Sequence, residues 1–99
     1  MQLFPMALLE KDIERYFKTQ LEKRGAIVWK FVSPGQAGVP DRVVLLPDGR
    51  VIFAEMKAPG EKPRKLQRAV FARMERAGHP VWVIDSREAV HKFMEEVTP

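Results

Sequence analysis

Leu9, Ile13, Phe17 and Leu21 recur at every fourth position along the first part of the chain, with charged residues between them. Side chains at that spacing share one helical face, so the pattern predicts an amphipathic helix over about residues 7–24 that Gly25 can end in a left-handed conformation. The period then changes. Residues 27–32 read as a strand, 33–40 as a Gly/Pro-rich loop, and 42–46 as a β-branched, apolar strand. Pro47-Asp48-Gly49 is a turn signal and 51–57 is strand-like again, which together predict a hairpin. Residues 58–63 break the pattern, and Leu66, Val70, Met74 and Ala77 then mark a second helix stopped by Gly78. Residues 81–84 form a short buried strand. Asp85, with Glu88 three residues on, matches a capping box opening a last helix whose inner side carries Val90, Phe93, Met94 and Val97.

The predicted order is α-β-β-β-α-β-α. A hairpin followed by a strand-helix-strand crossover implies an α/β fold with a central mixed sheet covered by helices. No repeat, low-complexity tract or linker divides the sequence, so the expectation is one domain over residues 1–99. A chain of 99 residues buries only about 60–65% of its unfolded surface, which makes self-association a natural supplement to a small core.

Composition narrows the chemistry. The absence of cysteine excludes disulfides, thiolate metal sites and a cysteine nucleophile, and fits a cytoplasmic home. Residues 1–9 are mostly apolar but have no basic residue before them, unlike a secretory signal, and no run approaches the ~20 apolar residues of a membrane span. Seventeen Lys and Arg against thirteen Asp and Glu give a net charge of +4, which suits a polyanionic partner. No Gly-rich phosphate loop is present, so no nucleotide cofactor is expected.

Glu55 and Lys57, two apart in a strand, project from one face near the end of an otherwise apolar segment. Charged groups there are costly unless they are exposed, paired or bound to a metal. Asp41 begins the preceding strand, and the Asp48-Gly49 turn folds the two strands together so that Asp41 and Glu55 can converge. Two carboxylates with a backbone carbonyl make a hard oxygen site for Mg²⁺ or Mn²⁺, which would activate water and accept phosphate oxygens. Lys57 would orient the nucleophile and neutralise developing charge. Spacing alone fits a surface ion pair on a solvated sheet face equally well.

Pro40-Asp41 followed by Glu55-Met56-Lys57 resembles the PD-(D/E)xK nuclease signature. More closely, Lys30-Phe31-Val32-Ser33-Pro34-Gly35, Gly38-Val39-Pro40-Asp41-Arg42 and Phe53-Ala54-Glu55-Met56-Lys57 resemble the virus-type replication-repair nuclease (VRR-Nuc) domain, from about Leu9 to Val90. The resemblance implies a restriction-endonuclease-like core and hydrolysis of DNA phosphodiesters. It assigns Asp41, Glu55 and the Met56 carbonyl as metal ligands and Lys57 as the catalytic lysine. It also implies an acidic residue on the first helix. Glu14 is the favoured candidate, because Glu14-Arg15 stands before Gly25 as a similar pair does in the related Holliday-junction resolvases; Glu10, on the same helical face, is the alternative. Gln67 matches a glutamine that faces the site in the family. Likeness to junction resolvases implies a homodimer acting on four-way or other branched DNA in replication or repair, in a bacterial or phage-infected cell.

Lys62, Arg64, Lys65 and Arg68 cluster after the lysine strand, and the loop offers small residues, Ser33 and Gly35 among them, whose backbone can approach a phosphate. Together they suggest a DNA track. His79 and His91 lack the partners of a zinc or triad site, and Trp29 and Trp82 read as core or interface residues rather than stacking platforms. A basic binding module with a nuclease fold but no catalysis is the alternative function.

Overall fold

A computed structural model describes residues 9–97. The first helix, α1 (Glu10–Glu22), buries Ile13, Phe17 and Leu21 completely, and the chain turns at Gly25 with φ +85°. Leu9 does not join that face. Its main chain sets the helix N-terminus, its N–H donating to the Asp12 carboxylate at 3.0 Å, and its side chain stays 53% exposed. A residue ahead of the first turn has not yet entered the helical path, so the fourfold repeat holds only from Ile13. Residues 7 and 8 of the expected helix lie outside the described residues.

Three strands follow: β1 (Ile27–Lys30), β2 (Arg42–Leu45) and β3 (Val51–Met56). The Pro47-Asp48-Gly49 turn closes with Leu46 N–H donating to the Arg50 carbonyl at 2.9 Å, Gly49 taking the positive φ of +95°. The second helix, α2 (Lys65–Arg76), leads through Gly78 into β4 (Val81–Ile84) and then α3 (Arg87–Val97). The last helix opens one residue later than the sequence suggests. Ser86 caps it, its hydroxyl accepting the Ala89 N–H at 3.0 Å, because that amide lies three residues beyond Ser86 as cap geometry requires.

The sheet order is β1-β2-β3-β4; β1, β2 and β3 pair antiparallel and β4 joins β3 in parallel, the mixed sheet expected from a hairpin followed by a crossover. Alternation decides what each face meets. Val28, Val44, Ala54, Met56 and Ile84 point to one side, where Phe17 and Phe93 of α1 and α3 pack 5.1 Å apart and complete the core. Trp82 belongs to this layer, its ring edge-on to Phe93 at 5.2 Å. The other face is covered less evenly. There α2 packs on β4, while Ile27, Trp29 and Val51 remain 44–59% exposed. The loop preceding β2 rests on α2 at Gly38, where a Cβ would stand 3.0 Å from Leu66 Cγ and φ is +86°. Among the described residues no helix is long and apolar enough to cross a membrane.

Candidate active site

Pairing of β2 with β3 places Asp41, just ahead of β2, alongside Glu55. The two carboxylates are tied crosswise to the backbone. Asp41 N–H donates to Glu55 Oε1 and Met56 N–H donates to Asp41 Oδ1, each at 3.1 Å. Continuing the register puts Met56 opposite Pro40, which has no N–H to donate, and the Met56 N–H is taken up by the Asp41 side chain.

Glu55 and Lys57 share a face as their spacing requires, and both are buried, 4% and 9% exposed, with Lys57 Nζ 3.3 Å from Glu55 Oε2. That removes the solvated surface pair as a description. Gln67, at the third position of α2, closes the network. Its Nε2 donates to Glu55 Oε2 at 2.9 Å, and its Oε1 accepts from Lys57 Nζ at 3.1 Å and from the Arg64 N–H at 2.8 Å. One side chain thus caps its own helix and fixes the acid and the amine relative to each other.

Burial pushes the Asp41 carboxyl up from 3.8 to about 6, against the Met56 N–H bond, which favours the charged form; the nearby Glu55 and Glu10 charges add to the rise. A carboxylate so placed gains from a cation. Among the described residues no three His, Asp or Glu side chains form a ready-made metal cage. Two carboxylates with the Met56 backbone carbonyl nevertheless suit Mg²⁺ or Mn²⁺, which are held by one or two carboxylates and keep several waters. The donor set therefore fits such an ion. The site lies at the Asp41 end of the sheet; a groove of about 370 Å³ lined by Leu21, Ala26, Leu46 and Val97 lies at the hairpin end and touches none of these residues.

Against this geometry, the chain is 50% identical over 84 residues to "Putative nuclease p44" of Acyrthosiphon pisum secondary endosymbiont phage 1, a match spanning 84% of this chain and 90% of that protein. A solved structure described as a VRR_NUC domain superposes with a TM-score of 0.82 at 32% identity, covering 89% of this chain and 96% of that one. The chain belongs to the VRR-Nuc nuclease family. No protein-family model matches it.

Within this VRR-Nuc domain the two candidate helix acids are placed differently. Glu14 forms an ion pair with Arg42, whereas Glu10 is exposed and reaches Asp41 and Arg42 through its charge. Arg42 is the participant that the sequence reading left out. Only 8% exposed, it donates to the Asp41 carbonyl at 2.8 Å and stands 3.7 Å from Asp41 Oδ2, so it links α1 to the carboxylate pair. Burial lowers its pKa, opposed by the Glu10 and Glu55 charges. Its parity was the available signal: Arg42 shares its side of β2 with Val44, so a cation there faces the core and needs an acidic partner.

Lys62, Arg64, Lys65 and Arg68 are all exposed around the start of α2, with Arg68 donating to the Pro63 carbonyl at 2.6 Å. Ser33 is half-buried, its carbonyl accepting from Gln36 N–H at 3.2 Å. Gly35 is exposed, and a Cβ there would meet nothing. Neither His79 nor His91 joins the carboxylates; His79 stands edge-on to Phe53, and His91 lies 2.6 Å from the Tyr16 hydroxyl.

Proposed function

We propose that this nuclease domain is an endonuclease hydrolysing DNA phosphodiesters with Mg²⁺ or Mn²⁺, and that it selects branched DNA. The observation that carries the reading is the Asp41–Glu55–Lys57–Gln67 network, in which Glu55, Lys57 and Gln67 are buried and Asp41 is partly exposed. Asp41, Glu55 and the Met56 carbonyl would hold the ion, with Glu14 contributing from α1 and Glu10 as the alternative. When bound, such an ion supplies a water of lowered pKa and neutralises phosphate charge.

The chain's own residues do the rest. Lys57, fixed by Gln67 and Glu55, presents an ammonium donor that orients the attacking water and stabilises the charge growing on the phosphate oxygens. Gln67 acts by holding Lys57 and Glu55 in register. Lys62, Arg64, Lys65 and Arg68, with the backbone at Ser33 and Gly35, would take the flanking phosphates, each contact contributing to a salt-dependent affinity. Two copies related by a twofold axis would present two sites to a four-way junction, a homodimer that solution mass tests directly.

Incubation with labelled junction, flap and linear duplex DNA in Mg²⁺, Mn²⁺ or EDTA, beside Lys57→Ala, is the test. Metal-dependent cutting lost in the variant is the expected result. Salt-sensitive binding without cutting in either metal would replace this reading with that of a catalytically silent binding module.

A further inference from the structure

Trp29 is the most exposed aromatic side chain of the sheet, 59% accessible in the middle of a strand. It points to the same face as the carboxylates. The registers Trp29↔Val43 and Val43↔Phe53 set Trp29 and Phe53 in one row across β1, β2 and β3, and the next row holds Phe31, Asp41 and Glu55. Phe31 N–H donates to the Asp41 carbonyl at 2.9 Å, and its ring lies 5.3 Å from that of Phe53, which in turn meets His79 at 6.3 Å. A run of aromatic rings therefore adjoins the acids. One residue pair along the strand and one strand across, Trp29 is about 8 Å from Asp41 by Cα position.

A core explanation fails for Trp29, since α2 packs at the far side of the sheet, on β4. A protein-binding role gives no reason for the exposed ring to stand on the same face as, and one row from, the groups that must receive a phosphodiester. Within the four strands this face carries no acid except Glu55, so away from the carboxylate pair no strand residue on it repels a nucleic-acid backbone. Aromatic rings on an open sheet take unstacked bases by their π-faces, whereas paired bases inside a duplex cannot present those faces.

We propose that Trp29, with Phe31 and Phe53 on the same face, is a stacking platform for an unpaired nucleotide next to the scissile phosphate, so that among branched DNAs those with unpaired bases beside the cut are preferred. The inference rests on the nuclease reading above. It assigns Trp29 the discrimination between unpaired and paired DNA and leaves the cutting to Asp41, Glu55 and Lys57.

Binding of a fluorescein-labelled oligo-dT and of a blunt duplex is measured by anisotropy in EDTA for the parent, Trp29→Ala and Trp29→Phe, with tryptophan fluorescence followed in parallel. Loss of one stacked base weakens affinity about five- to 150-fold. Trp29→Ala is expected to lose that factor for oligo-dT and less than twofold for the duplex, Trp29→Phe to keep most of the affinity, and oligo-dT to quench a signal that Trp29→Phe lacks. Equal losses on both DNAs, no loss on either, or conversion of a dimer into a monomer by Trp29→Ala would overturn the platform. A parent that cuts nothing yet shows Trp29-dependent oligo-dT binding would sink the nuclease reading and leave the platform standing; a parent that cuts while Trp29→Ala binds oligo-dT normally would do the reverse.

Discussion

Gln67→Leu tests how the site is held together. The substitution puts an apolar side chain of similar size at a 5% exposed position and removes three hydrogen bonds. Two involve charged partners, Lys57 and Glu55, and such bonds contribute about 1.5–3 kcal/mol each. The third satisfies the Arg64 amide at the helix start and contributes about 1 kcal/mol. Lys57 and Glu55 still have each other at 3.3 Å, which offsets part of the loss. A net destabilisation of about 2–4 kcal/mol follows, and at roughly 4–8 °C per kcal/mol for a domain of this size the melting temperature should fall by at least about 8 °C. Single-turnover cleavage, run well below either melting temperature, should slow by about 10–100-fold, because an unheld lysine spends less time in line with the reacting phosphate. Circular dichroism melting and quenched-flow cleavage measure the two effects separately. A variant that melts within about 2 °C of the parent would refute the claim that Gln67 organises the network.

The raised Asp41 pKa gives a signed pH dependence. Since its folded value of about 6 lies above the ordinary 3.8, the native metal-free chain binds more protons than the unfolded chain between those values, and stability is lost as pH rises through that window. Discounted for the partial exposure of the side chain, the parent should lose about 1–2 kcal/mol relative to Asp41→Asn between pH 4 and pH 6.5 in EDTA, read by urea unfolding; a constant difference between the two would contradict it. Gly38→Ala meets both a positive φ and Leu66 at 3.0 Å, so it should cost about 1–3 kcal/mol and shift the loop before Asp41; an unchanged melting temperature with unchanged cleavage would show that this contact does not position the site.

Most of this architecture is legible in the sequence because period and punctuation agree. The change from fourfold to alternating spacing separates α1 from the strands, Gly25, Gly49 and Gly78 all sit at positive φ where the chain must turn, and the hairpin brings Asp41 to Glu55. What spacing does not carry is the third dimension. Leu9 fits the helical repeat but precedes the helix, and Asp85 fits a cap that Ser86 supplies, because both decisions belong to backbone geometry one residue wide. Alternation alone leaves Glu55 and Lys57 either solvated or buried; α2 decides it by lowering Gln67 onto them. Trp29 reads as a core or interface residue, and its 59% exposure removes the core half of that reading.

In the proposed function, Asp41, Glu55 and Lys57 act together on a phosphodiester with a divalent ion. The most direct measurement is single-turnover cleavage of a labelled four-way junction by the parent, Asp41→Ala and Lys57→Ala in Mg²⁺, Mn²⁺ and EDTA, with folding of each variant checked by circular dichroism. The account predicts cutting by the parent in metal alone and a loss of at least about 100-fold in both folded variants. Cutting at the parent's rate by either folded variant, or undiminished cutting in EDTA, would contradict it.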